Sequence, residues 1–163
     1  MEKDILSIKQ QTRLALPTDN SYLFGLGVAL YGFNSISSFM TEIICHIDDS
    51  QNRTRLLDLT SGEVLNIFRQ TLKNIKSKKQ YKSIYTIMND VANIFEILNS
   101  ERTDFVHAYP ITNRSNEQIL HRRKDEKGKY FEVDNNFLDS FISRLHDVSS
   151  GLYKIRAIVK PQI

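Results

Sequence analysis

From Leu23 to Ile47 the apolar residues fall at steps of three and four without a break: Leu23, Leu26, Leu30, Phe33, Ile36, Met40, Ile43 and Ile47. This spacing follows the 3.6-residue turn of an α-helix and not the two-residue period of a strand. It predicts a long helix with one buried face. In the stretch TDNS just before it, Asp19 or Asn20 can accept hydrogen bonds from the first free backbone N–H groups and set the start. Gly25, Gly27 and Gly32 each cost helix stability, and each leaves room for a neighbour to come close.

The helical period returns three times. Thr60 and Glu63 stand at the spacing of a capping box, and Val64, Ile67, Phe68, Leu72 and Ile75 make the buried face of the helix that follows. The lysines of KNIKSKKQYK close it, because cations suit a helix C-terminus. A further helix starts near Gln80 and carries Tyr81, Ile84, Tyr85, Met88, Val91, Ala92, Phe95 and Leu98 on one stripe. The last helix is capped by Asp134 or Asn135 and buries Phe137, Leu138, Phe141, Leu145, Val148, Leu152 and Ile155, with a weak point at 149–151. Residues 48–55, DDSQNRTR, read as a polar loop.

In QILHRRKDEKGKYFEV the period changes. Two short runs flank KDEKG, with Gly128 free to take positive φ, which is the pattern of a β-hairpin. The expected fold class is mainly α: a helical bundle of four to five helices with a small β-hairpin, residues 117–133, before the last helix. Residues 1–18 read as an arm or short helix ending at Pro17. A chain of 163 residues suits a single domain with a real core.

Several function classes lack support. Cys45 is the one cysteine, so neither an intrachain disulfide nor a zinc-finger framework is available. It sits among Ile43, Ile44 and Ile47 and reads as a small core residue. His46 with Asp48 and Asp49 in CHIDD resembles half of a metal site, but the second half is missing. The glycine-rich signatures of nucleotide hydrolysis, dinucleotide binding and serine hydrolases are absent. No cofactor and no metal are therefore expected. A net charge of +3 permits a polyanionic partner without requiring one. The start, MEKDILSIKQQTR, has no apolar leader segment, and YLFGLGVALYGF is too short to span a bilayer. A cytoplasmic chain without membrane partners is expected.

One stretch breaks the pattern. In ERTDFVHAYPIT, Arg102 takes the next position on the stripe of the third helix, and Phe105 lies beside it. A guanidinium on a buried face is costly unless it is paired or used. It can snorkel to the surface, pair with a carboxylate such as Glu101, or bind an anion with its planar fork. Pro110 disfavours helical geometry at Tyr109, so the helix should end near His107. Asp104 stands one turn before His107 and could accept its hydrogen bond. A titratable ring beside a fixed cation is able to move protons on a phosphodiester while the cation stabilises the developing charge.

The run RTDFVHAY resembles the R-x4-6-H motif of the HEPN superfamily, in the R-x4-H-x-Y form of HEPN toxins paired with minimal nucleotidyltransferases. The resemblance implies an all-helical, homodimeric, metal-independent ribonuclease in which two motifs share one cleft. Arg102 and His107 would then be the catalytic pair, with Thr103, Asp104 and Tyr109 in support. Tyr109 would be the residue that a cognate nucleotidyltransferase antitoxin modifies. The substrate would be RNA, and the setting toxin–antitoxin or phage defence. Arg122, Arg123 and Lys124 are the expected RNA-binding residues beside the cleft, although a solvated hairpin explains the same charges. A non-catalytic dimer that binds nucleotide, nucleic acid or a partner protein is the alternative. Arg114 and His121 also match the motif spacing, but in a loop and the hairpin.

Overall fold

The computed structural model describes residues 5–12, 14, 16–123 and 130–160. A short helix α1, Ile5–Gln10, precedes the first long one. Asp19 opens α2, Asn20–Ile47, by accepting from the Ser21 N–H at 2.8 Å. A five-residue helix α3, Arg53–Leu57, follows, capped by Asn52. Then come α4, Ser61–Ile75, and, after a 3-10 turn at Lys79–Tyr81, α5, Lys82–Val106. Three antiparallel strands follow in the order β1-β2-β3: β1 Tyr109–Thr112, β2 Gln118–Arg123 and β3 Tyr130–Val133. Asp134 caps the last helix α6, Asn135–Val159, by accepting from the Phe137 N–H at 2.7 Å.

The capping box of α4 forms as its spacing predicts. Thr60 Oγ1 accepts from the Glu63 N–H, and the Glu63 carboxylate accepts from the Thr60 N–H at 2.8 Å. Bonds from the Thr60 side chain and backbone hold the Glu63 carboxyl below its ordinary range.

Glycines set how α2 and α6 pack. A Cβ on Gly25 would stand 3.3 Å from Leu138 Cδ1, and one on Gly32 2.9 Å from Leu145 Cδ1. The same advance along both helices means that they run parallel. Asn135 Nδ2 donates to Asp19 at 3.1 Å and ties their starts together. Helix α5 runs the other way: Phe105 meets the Phe137 and Phe141 rings, while Val91 packs on Gly151. At the centre Phe33 stacks on Phe95, ring centroids 5.2 Å apart, and also meets Phe141.

Gly151 is the tightest of these contacts. An added Cβ would lie 2.5 Å from Val91 Cγ2, and a β-branched side chain in a close-packed core has little freedom to move away. Gly151→Ala should therefore cost about 1–3 kcal/mol, read as a lower urea midpoint. Gly27 has open space where its Cβ would go, so Gly27→Ala should stabilise by about 0.5–1 kcal/mol.

The sheet docks onto the bundle through Tyr22, whose hydroxyl oxygen accepts from the Leu120 N–H at 2.8 Å. Burial pushes the Tyr22 hydroxyl above the ordinary value, while the bond from Leu120 works the other way. The protonated form is favoured in the fold. Its contribution is complete below the unfolded value of about 10 and is lost as pH rises through the folded one. Tyr22→Phe should cost about 1 kcal/mol by taking the partner from the half-buried Leu120 N–H. It should also remove this alkaline loss, measured by unfolding at neutral and high pH.

The mainly α class with a small sheet before the last helix is what the structure has. Four details differ from expectation. The polar stretch 48–55 contains the start of α3. The sheet has a third strand, β1, directly after the helix that carries the motif. Helix α6 is unbroken through 149–151, because Gly151 is a packing position. Helix α2 has 28 residues and, by length and composition, is long enough to cross a membrane, although Phe33, Met40, Ile43 and Ile44 on it are fully buried in the core. Gly128 lies outside the described residues.

Candidate functional site

Helix α5 delivers the motif. His107 is its C-cap, with φ −94° and ψ 6°. The His107 N–H donates to Thr103 O at 3.3 Å, and the chain enters β1 at Tyr109–Pro110. The helix thus ends where Pro110 predicts. Phe105 is buried against α6 and anchors this last turn.

Arg102 is half-buried, with its Cζ 5.6 Å from the centroid of the Phe33 ring. Its Nε is buried and has no hydrogen-bond partner among the described residues. The neighbouring carboxylates are committed elsewhere. Arg144 Nη1 donates to Glu101 Oε1 at 2.9 Å, and Nη2 stands 2.7 Å from Oε2. Arg122 Nη1 donates to Asp104 Oδ1 at 3.0 Å. A ring face is worth about 2 kcal/mol to a desolvated cation, whereas an unpaired buried donor costs about 1–3 kcal/mol. The ring offsets burial of this charge and leaves its hydrogen-bonding capacity unspent.

His107 is exposed and makes no side-chain hydrogen bond among the described residues. The expected bond from Asp104 is not formed, because that carboxylate faces Arg122. Thr103 Oγ1 turns back to Asn99 O at 3.0 Å, and Thr103 O accepts from Arg122 at 3.1 Å. Around an ideal helix Arg102 and His107 stand about 140° apart and about 7.5 Å along the axis. The structure brings both to one helix end without a hydrogen bond between them. Of the three courses open to Arg102, pairing with Glu101 is not taken; its guanidinium lies over the Phe33 ring.

The sheet adds groups that the motif does not contain. Tyr109 pairs with His121 across β1 and β2, and their rings meet edge to face at 5.5 Å. Tyr130 covers the other flank of His121 at 5.1 Å. His121 is only 7% exposed, and its Nδ1 has no hydrogen-bond partner among the described residues. Sequence reasoning set His121 aside with Arg114. The alternation in QILHRR would have placed it on the same side as buried Ile119. Tyr109 is 52% exposed, so its hydroxyl end is reachable. Of the expected RNA-binding residues, Arg122 is spent on α5, Arg123 is exposed, and Lys124 lies outside the described residues.

An apolar cleft of 520 Å³ begins at Pro110, next to Tyr109, between Leu23 and Leu26 of α2 and Ile111 and Leu120 of the sheet. Neither Arg102 nor His107 lines it. No protein-family model, curated protein or solved structure matches this chain.

Proposed function

We propose that the chain is a HEPN-like, metal-independent endoribonuclease that acts on RNA as a homodimer in the cytoplasm. One observation carries the reading: Arg102 is a guanidinium without a carboxylate partner among the described residues, half-buried at a helix end that also presents an exposed histidine. Such a cation suits a ligand that supplies the missing negative charge. A phosphate does so.

In the proposed reaction the His107 imidazole takes the proton of the ribose 2′-hydroxyl. The 2′-oxygen attacks phosphorus, and the bond to the 5′-oxygen breaks. Arg102 holds the non-bridging oxygens as their charge grows. A second histidine, from the other copy in the dimer, protonates the leaving 5′-oxygen. The products are a 2′,3′-cyclic phosphate and a 5′-hydroxyl. Both sides balance without an external oxidant or reductant. The motif's likeness extends the proposal to a toxin or phage-defence role, with the reachable Tyr109 as the target of a cognate nucleotidyltransferase antitoxin.

A second reading has an observation of its own. Arg102 rests on Phe33 and is not bonded to His107, as suits a non-catalytic dimer that binds nucleotide, nucleic acid or a protein. Incubation of the purified chain with single-stranded RNA in EDTA separates the two. The first predicts cleavage to cyclic-phosphate ends. Intact RNA leaves the second.

A further inference from the structure

We infer that the cleft between α2 and the sheet binds a neutral, largely apolar small molecule that carries an amide. The inference does not rest on the ribonuclease reading, because no residue from Arg102 to Tyr109 lines the cleft.

Three pieces of chain meet there. Leu14, Leu16 and Pro17 give one wall, Leu23 and Leu26 of α2 a second, and strands β1 and β2 the third. The floor is buried: Tyr22 is 2% exposed and Ile119 5%. The rim is open, with Leu14 74% exposed. The wall before α2 is tied down. Lys9 Nζ donates to Pro17 O at 2.8 Å and to Thr18 O at 3.3 Å, so α1 holds this stretch at the start of α2. The bland account is loose packing of a small sheet on a bundle. Size decides against it. Native interiors leave few voids larger than a water molecule, which takes about 30 Å³. A cleft of 520 Å³ is in the range of small-molecule sites.

The lining selects the ligand. None of the residues around the cleft is charged. An ion leaving water for it would meet no counter-charge, and its burial would be costly. The ligand is therefore neutral and mostly apolar. Two polar groups of the lining have capacity to spare. Gln118 Oε1 is buried with no hydrogen-bond partner among the described residues. The terminal torsion of a glutamine is broad, so a half turn of the amide brings that oxygen to a bound molecule. Tyr22 accepts from the Leu120 N–H, and its own proton has no acceptor among the described residues. One side chain thus lacks a donor and the other an acceptor. An amide supplies both: its N–H donates to Gln118, and its C=O accepts from Tyr22. An ester would leave Gln118 unpaired.

The test is displacement of N-phenyl-1-naphthylamine, a neutral apolar fluorophore, from the full chain. Octanamide, methyl octanoate and octanoate are the competitors, since they share a chain and differ in the polar end. The fluorophore should bind saturably at one site per chain. Octanamide should displace it. Octanoate should do so at least about tenfold less well, for want of a counter-charge. Methyl octanoate should be about two- to tenfold weaker than octanamide, for want of an N–H. Gln118→Leu keeps the wall apolar and should abolish the preference for amide over ester. Leu23→Trp fills the cleft and should weaken the fluorophore at least about tenfold by steric exclusion. Melting temperatures show that each variant folds. No saturable binding overturns the proposal. So does octanoate that competes as well as octanamide, or an amide preference that survives Gln118→Leu. Fluorophore affinity unchanged in a folded Leu23→Trp would put the site elsewhere and overturn it too. Should Leu23→Trp fail to fold, the Gln118→Leu comparison decides alone.

Discussion

His107→Ala should lower RNA cleavage by about 100- to 10,000-fold, the range that positioned acid–base groups supply. The ring is exposed and makes no hydrogen bond among the described residues, so its loss should move stability by no more than about 0.5 kcal/mol. A dead but fully folded variant is the expected signature. Arg102→Ala should cost about 100- to 1,000-fold. Arg102→Lys keeps the charge but not the planar fork, and should fail to restore the rate. Initial rates on a fluorescent RNA oligonucleotide, with melting curves on the same samples, measure both quantities. Activity in His107→Ala equal to the parent would remove the acid–base role.

Phe33→Ala should be the most destabilising single change in the bundle, by about 3–5 kcal/mol. Phe33 is fully buried, stacks on Phe95, meets Phe141 and carries the Arg102 guanidinium on its ring. Its removal opens a cavity under three groups at once. Domains of this size are stable by about 5–15 kcal/mol, so the variant should unfold at much lower urea. Phe33→Leu nearly fills the volume and should cost about 1 kcal/mol. It removes the ring face on which Arg102 lies, so the guanidinium should become more mobile while the bundle holds. Urea unfolding of both variants checks the order.

The helices were readable because their apolar positions repeat over many turns. The stripe from Leu23 to Ile47 and the Thr60–Glu63 box each name a start or a face from local spacing alone. Helix α3 was not readable, since five residues contain too little repeat. Strand β1 was hidden by Pro110 and by its length of four residues. Pairing was not readable either. The stripes say which side of a helix is buried, not that Gly25 and Gly32 meet α6 in parallel.

The site was legible in the same uneven way. The place of Arg102 on a buried stripe follows from period, and the end of α5 follows from Pro110. Its partners are long-range facts. Phe33 lies on another helix, and Arg122 reaches Asp104 from the sheet across 18 positions. Local spacing suggested the pairs Glu101–Arg102 and Asp104–His107. Arg144 and Arg122 claim those carboxylates instead, each donating through Nη1 from an adjacent element.

The most direct measurement is a crystal structure of the chain with a single-stranded RNA whose cleavage-site 2′-hydroxyl is replaced by hydrogen. The account predicts that the Arg102 guanidinium leaves the Phe33 ring and donates to the scissile phosphate, with a His107 ring within hydrogen-bond reach of the reacting oxygens. RNA bound elsewhere, with Arg102 still resting on Phe33, would contradict it.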